Sequence, residues 1–376
     1  MTELVLIRIT GADKPGVTAT ISSILAQYEV TVLDIGQAEI HDSLSLGILA
    51  AIPSTAEAAP VLKDVLFRIH EMGLSVSFTP VTPESYEHWV AGQGKPRHII
   101  TLLARTIQAD AIARVTSIAA EHNLNIDQIS RLSGRVPLDK QSETTRACVE
   151  FSVRGEADQT AMRAQFLEAA NDLNVDIAFQ EDNVYRRNRR LVAFDMDSTL
   201  VQCEIIDELA AAAGVGEEVS RITATAMAGD LDFRESFSRR LKLLKGLKAS
   251  ALERIAAHLP LTEGTERLVA TLKTLGYRIA ILSGGFAYFG RQLQKQLGID
   301  YVYANELDIA DGALTGEVVG EIVDGRRKAD LLRQIARQEG ISLEQVIAVG
   351  DGANDLPMLS IAGLGIAFHA RPVVRE

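Results

Sequence analysis

Leu191-Val192-Ala193-Phe194-Asp195-Met196-Asp197-Ser198-Thr199-Leu200 is the stretch on which the reading of this chain turns. Its first four residues are all apolar and too few for a helix, as in a strand buried on both faces of a parallel sheet. Two carboxylates at i and i+2 follow where the strand gives way to a loop, so both can face one pocket. Alone, an Asp-x-Asp is as readily an Asx turn or a helix cap. Its place directly behind an apolar strand gives it weight. The same strand pattern returns at 279–282 (IAIL), 346–349 (VIAV) and 365–368 (GIAF), with helix-length segments between. The alternation predicts a doubly wound α/β domain with a parallel sheet, whose ligands bind beyond the carboxyl ends of the strands.

The other strand ends carry matching chemistry. Ser283-Gly284-Gly285-Phe286 follows the second strand, and a hydroxyl with bare N–H groups at a helix start forms an anion cradle. Any tight turn uses the same residues. Gly350-Asp351-Gly352-Ala353-Asn354-Asp355 follows the third; with Asp195 and Asp197 it forms the oxygen-rich shell that Mg²⁺ prefers. Lys328, in Arg326-Arg327-Lys328-Ala329-Asp330, opens a helix and can reach both a nucleophile and a phosphoryl group. Phosphoryl transfer needs a nucleophile, a proton donor, cations and donors for the phosphate oxygens. An ionised carboxylate attacks phosphorus without a helper base, so one of Asp195 and Asp197 can be the nucleophile and the other the proton carrier.

The ordered set D-x-D-S-T-L, S-G-G, K and G-D-G-x-N-D, spanning Leu191 to about Ala370, resembles the haloacid dehalogenase superfamily. The resemblance implies Asp195 as nucleophile, Asp197 as general acid/base and Lys328 as a third catalytic residue. It also implies magnesium held by Asp195, Asp351 and the backbone carbonyl of Asp197, with Asp355 supporting the loop. Relatives usually continue past the position of His369-Ala370-Arg371-Pro372 through another strand and helix, so either an uncovered sheet edge or an incomplete chain is expected.

About Ile206 to Thr265, between the first two motifs, reads as helices with one apolar face: a cap that excludes water. Glu204 and Arg240 offer the opposite charges that an ammonium and a carboxylate require, although both also pass as helix-surface charges. The segment after Asp195, with M-x-G-x-L-x-F at Met227, Gly229, Leu231 and Phe233 and then Arg240, resembles the members of that superfamily that hydrolyse phosphorylated serine. That likeness implies Glu204 on the ammonium, Arg240 on the carboxylate, Met227 and Phe233 shielding the ester, and Ser283, Gly284, Lys328 and Asn354 on the phosphate. The implied reaction converts O-phospho-L-serine to L-serine and phosphate through an aspartyl-phosphate, the last step of phosphorylated serine biosynthesis. A different small phosphate ester, or transfer to an alcohol, is the nearest alternative. An inactive amino-acid sensor is disfavoured because Asp195 and Lys328 are both present.

The front half repeats itself. Strand and helix patterns in the order βαββαβ run over residues 1–82 and return over 98–183, with Ser23-Ile24 and Ser117-Ile118 at matching positions. Each copy is expected to be ferredoxin-like, an antiparallel sheet with two helices on one face. Residues 83–97 and 184–190 are the expected linkers, and 191–376 the catalytic domain. The two copies resemble ACT domains, small-molecule sensing modules. In the first, Gly11-Ala12-Asp13-Lys14-Pro15-Gly16-Val17 stands between strand and helix, and Asp13, Gly16 and Val17 are the expected contacts for an amino-acid effector such as serine. The matching stretch of the second copy, Thr106 to Asp110, lacks the Pro-Gly pair. Edge pairing of these modules into a homodimer is the alternative use for them.

The 376 residues include 38 basic and 50 acidic side chains, a formal charge of −12. Such a surface repels nucleic acid and anionic lipid, so neither is an expected partner. Cys148 and Cys203 are too few for a disulfide framework. With no apolar run long enough to span a membrane and no signal-like start, a cytoplasmic location is expected. The basic run Tyr185 to Arg190 reads as a solvated connector.

Overall fold

In Ser43–Ile52, alternate residues Leu44, Leu46, Ile48 and Ala50 are buried, the mark of a strand with one face on a core. The computed structural model describes residues 2–54, 58–135, 137, 146–227 and 231–370, and the side chain of Met227 lies outside that description. The chain divides into two compact units, residues 1–95 and 96–376. The first runs β1 (Glu3–Ala12), α1 (Val17–Gln27), β2 (Thr31–Ile40), β3 (Ser43–Ile52), α2 (Ala58–Glu71) and β4 (Ser75–Val81), then α3 (Pro83–Gly92). Its four-stranded sheet has the order β2-β3-β1-β4 and is antiparallel throughout. Val17, Ile21 and Leu25 of α1 and Val61, Val65 and Ile69 of α2, at helical spacing, close the core. Within the expected linker 83–97, α3 begins where the Thr82 hydroxyl accepts from the Ser85 N–H at 3.1 Å, with Pro83 in the first turn.

The second unit opens with the same order: β5 (Arg97–Ala104), α4 (Ala109–Glu121), β6 (Asn125–Arg131), β7 (Ala147–Arg154), α5 (Gln159–Leu173) and β8 (Asp176–Glu181). Its antiparallel sheet has the order β6-β7-β5-β8, the permutation seen in the first copy.

The remainder comprises β9 (Leu191–Phe194), α6 (Ile205–Ala213), α7 (Gly216–Met227), α8 (Phe233–Leu243), α9 (Ser250–Ala256), α10 (Thr265–Thr274), β10 (Arg278–Phe286) and α11 (Ala287–Leu297). It continues through β11 (Tyr301–Ala310), β12 (Ala313–Val319), α12 (Gly325–Gln338), β13 (Val346–Gly350), α13 (Leu356–Ile361) and β14 (Leu364–Ala367). The six-stranded sheet has the order β12-β11-β10-β9-β13-β14, parallel except for β12. Alternate residues of its central strands feed separate cores, Val192, Phe194, Ile279 and Ile281 on one face, Leu191, Ala193, Ala280 and Leu282 on the other. Their wholly apolar sequence follows from burial on both faces. The β11-β12 hairpin has no such run, because its residues are largely half-buried and mix charged with apolar side chains. Buried residues of α6 and α8 (Ile205, Leu209, Phe237, Leu241) join the first core, so the helices after β9 are anchored on the sheet.

The solvated reading of the basic connector holds for Arg187 and Arg190 and fails for two neighbours. Arg186 pairs with Glu150 of β7. Arg189, only 8% exposed, donates to the carbonyls of Glu344 and, at 3.0 Å, Gly363, at the entries to β13 and β14. Among the described residues β14 ends the sheet on that side and is half-buried to exposed throughout, at the edge expected to be bare; residues 371–376 lie outside the description. Among those described, no helix is long and apolar enough to cross a membrane. Arg189→Met strands those two carbonyls and is expected to lower unfolding stability by about 1–3 kcal/mol. An unchanged urea midpoint would count against a bracing role.

Candidate active site

The three carboxyl ends converge as the sequence requires. β9 delivers Asp195, whose N–H donates to the Val349 carbonyl of β13 at 2.9 Å, so the two motif-bearing strands are bonded at the loops themselves. Lys328, in the first turn of α12, is fully buried. Its Nζ lies 2.7 Å from Asp195 Oδ2 and 2.6 Å from Asp355 Oδ1. Burial alone would lower this ammonium, but Asp195 and Asp355 outweigh it and hold the group above its ordinary range. Burial, followed by the nearby Asp195 charge, raises Asp355.

Asp195, Asp351 and Asp355 form a buried cluster that can place one oxygen each within 4.8 Å of the others. Their roles differ. Both oxygens of Asp355 are committed, Oδ1 to Lys328 and Oδ2 to the N–H groups of Asp351 (3.1 Å) and Gly352 (3.0 Å), so it braces the loop. Asp351 Oδ1 accepts from the buried Thr199 hydroxyl at 3.1 Å. Thr199 stands inside the D-x-D-S-T-L motif, where its sequence position alone predicts no role.

Asp197 Oδ1 is buried and has no partner among the described residues. Burial, then Glu204 and Asp195, push this carboxyl well above the usual carboxylate range. The reason for the glycines after β10 is contact rather than a turn. A Cβ at Gly285 would stand 2.6 Å from Asp197 Oδ2, and one at Gly284 would stand 2.9 Å from Phe233 Cζ. Neither glycine has a positive φ. Ser283 is fully buried, and its Oγ accepts from the Gly285 N–H at 2.9 Å. One of the N–H groups expected to be bare is thus used internally, and α11 starts only after Phe286. Asn354, half-buried in the turn after β13, has its carbonyl against α12; a Cβ at Gly325 would meet it at 2.5 Å.

The cap contributes charge. Glu204, at the start of α6, accepts from the Ser198 hydroxyl at 2.9 Å, and burial raises its carboxyl. Ser198 takes a left-handed backbone (φ 57) and donates its N–H to the Cys203 carbonyl at 3.2 Å. Arg240 of α8 is half-buried, with Nη1 3.5 Å from Thr223 Oγ1 and a buried Nε lacking a partner among the described residues. Burial lowers its guanidinium, while Glu204, Asp207 and Asp197 act the other way. Phe233 stacks on Phe237, ring centroids 6.1 Å apart, at the wall formed by Gly284. Met227 ends α7, but its side chain and Gly229 lie outside the described residues.

In the first unit, Asp13, Lys14, Gly16, Val17, Thr18 and Gln37 line a cavity of about 290 Å³. Gly16 caps α1 with φ 94, a conformation natural to glycine.

The haloacid dehalogenase-like hydrolase family matches residues 192–360, and ACT domain families match residues 3–79 and 96–180. The chain is 41% identical over 375 residues to the phosphoserine phosphatase of Streptomyces coelicolor, covering 99% of this chain and 87% of that protein. It is 40% identical over 375 residues to phosphoserine phosphatase SerB2 of Mycobacterium tuberculosis, covering 99% and 88%. Among solved structures, a HAD family hydrolase from Salmonella enterica serovar Typhi aligns with TM-score 0.63 and 30% identity, over 74% of this chain and 92% of that one.

Lys328→Met removes the one cation between two buried carboxylates and is expected to cost about 3–5 kcal/mol of stability. Asp355→Asn in the same chain should recover part of that loss, and equal urea midpoints for the native protein and Lys328→Met would contradict the account.

Proposed function

The chain belongs to the haloacid dehalogenase-like hydrolase family, and we propose that it hydrolyses O-phospho-L-serine to L-serine and phosphate. The observation that carries the substrate is the pair of opposite charges in the cap. Half-buried Glu204 and Arg240 both lie within electrostatic reach of the Asp195-Asp197 loop. A phosphorylated amino acid brings the complementary ammonium and carboxylate on the same small molecule as its phosphate. The full-length relatives named phosphoserine phosphatase support the same reading.

Asp195 attacks phosphorus: a carboxylate O–P bond forms as the seryl O–P bond breaks. Asp197 gives its proton to the leaving alkoxide, then takes one from the water that cleaves the aspartyl-phosphate. Its buried Oδ1, without a partner among the described residues, and its raised carboxyl suit that exchange. Lys328, fixed on Asp195 Oδ2, offsets negative charge at the attacking group. Ser283 Oγ, already accepting from Gly285, keeps its hydroxyl proton for a phosphate oxygen. In this reading Gly284 and Asn354 also contact the phosphate, and Phe233 screens the ester from water.

Of the buried cluster Asp195, Asp351 and Asp355, the last is engaged elsewhere; Asp195 and Asp351, joined by the Asp197 carbonyl as the family likeness implies, would offer the all-oxygen donors that suit magnesium. Magnesium, when bound, balances charge on the transferring phosphoryl group. The same proposal places the enzyme at the last step of phosphorylated serine biosynthesis, gives the Asp13–Val17 cavity an amino-acid effector such as serine, and pairs two chains through the exposed apolar edge of β2 (Val32, Ile35, Ile40).

Phosphate release from L-phosphoserine, phosphothreonine and an aryl phosphate, each with magnesium and with chelator, tests the assignment. Magnesium-dependent release strongly favouring phosphoserine is the expected result; equal rates on all three would remove the substrate assignment. Arg240→Ala should raise KM for phosphoserine about 10- to 100-fold, the worth of one charged hydrogen-bonding contact, and leave aryl phosphate turnover nearly unchanged.

A further inference from the structure

The pairing of β10 with β11 breaks between Leu282 and Phe286, so Ser283, Gly284 and Gly285 have no backbone partner on β11. Asn305, opposite Phe286 and only 2% exposed, fills the break with its side chain. Its Nδ2 donates to the Gly284 carbonyl at 2.8 Å, and its Oδ1 accepts from the Val323 N–H at 2.8 Å. The two partners fix the amide's orientation, since only nitrogen can face a carbonyl and only oxygen an N–H.

The peptide between Gly284 and Gly285 is therefore gripped at both ends, its carbonyl by Asn305 and its N–H by Ser283 Oγ. On the other side of Asn305, Val323 immediately precedes Asp324, which caps α12 by accepting from the Arg327 N–H at 2.8 Å. Lys328 follows in the first turn of that helix and ends on Asp195. One buried amide thus spans the loop carrying Ser283 and the helix start carrying Lys328.

We infer that Asn305 is a positioning residue for phosphoryl transfer: it sets the spacing between the hydroxyl that receives the phosphate and the ammonium beside the nucleophile. The inference rests on the phosphoryl-transfer reading of the site. It predicts a loss in the chemical step rather than in grip on the amino-acid end of the substrate, which Glu204 and Arg240 provide.

Asn305→Asp keeps size and shape but turns an acceptor toward the Gly284 carbonyl, whereas Asn305→Ala removes both bonds. Each folded variant, with rates normalised to the folded fraction from a denaturation curve, is assayed on phosphoserine and on an aryl phosphate. kcat should fall about 10- to 100-fold on both substrates, the range usual for residues that orient reacting groups, while KM for phosphoserine moves less than about 3-fold. A lower melting temperature with kcat per folded molecule unchanged would make Asn305 a structural residue and overturn the inference. So would a rise in KM at constant kcat. If the native protein hydrolyses only the aryl phosphate, the phosphoserine assignment fails while the kcat comparison on the aryl phosphate still decides the role of Asn305.

Discussion

A fully buried lysine held between two carboxylates is the constraint around which the catalytic domain is arranged. An ammonium out of contact with water is tolerable only with its counter-charges fixed at hydrogen-bonding distance. That requirement ties three separate segments together: the end of β9 through Asp195, the turn after β13 through Asp355, and the start of α12 through Lys328 itself. Asp355 in turn holds the backbone of the loop that presents Asp351. The apolar strands put these loops at one end of the sheet, and the charge triplet fixes how closely they approach.

The fold was legible where burial leaves a strong trace. Strands covered on both faces, such as Leu191–Phe194 and Val346–Gly350, must be apolar throughout and so announce themselves. The β11-β12 hairpin was not read, because its mixed composition follows from half-burial at the sheet edge. The motif aspartates and Lys328 were found by their position behind buried strands. Asn305 was not, since a single Asn inside Tyr301–Ala310 carries no pattern, and its partners lie 21 and 18 residues away. Arg186 and Arg189 were read as solvent-facing for a related reason: a run of cations says nothing about which members find carbonyls or carboxylates.

The glycines of the Ser283-Gly284-Gly285 loop show how contact and chemistry share a cause. With no side chain at 284 or 285, Phe233 from the cap and Asp197 from the nucleophile loop both come within van der Waals range of the same backbone. The cap and the sheet also share one apolar core through Phe237 and Leu241.

The bond between Ser198 and Glu204 bears on how such a site changes over evolutionary time. Ser198 sits in a left-handed conformation, one residue from Asp197 and three from Asp195, and its hydroxyl ends on the residue read as the ammonium contact. Exchanging Glu204 to suit a new substrate would therefore also release a strained residue inside the reactive loop. At Glu204, unlike at Arg240, selectivity and reactivity are therefore coupled through one hydrogen bond.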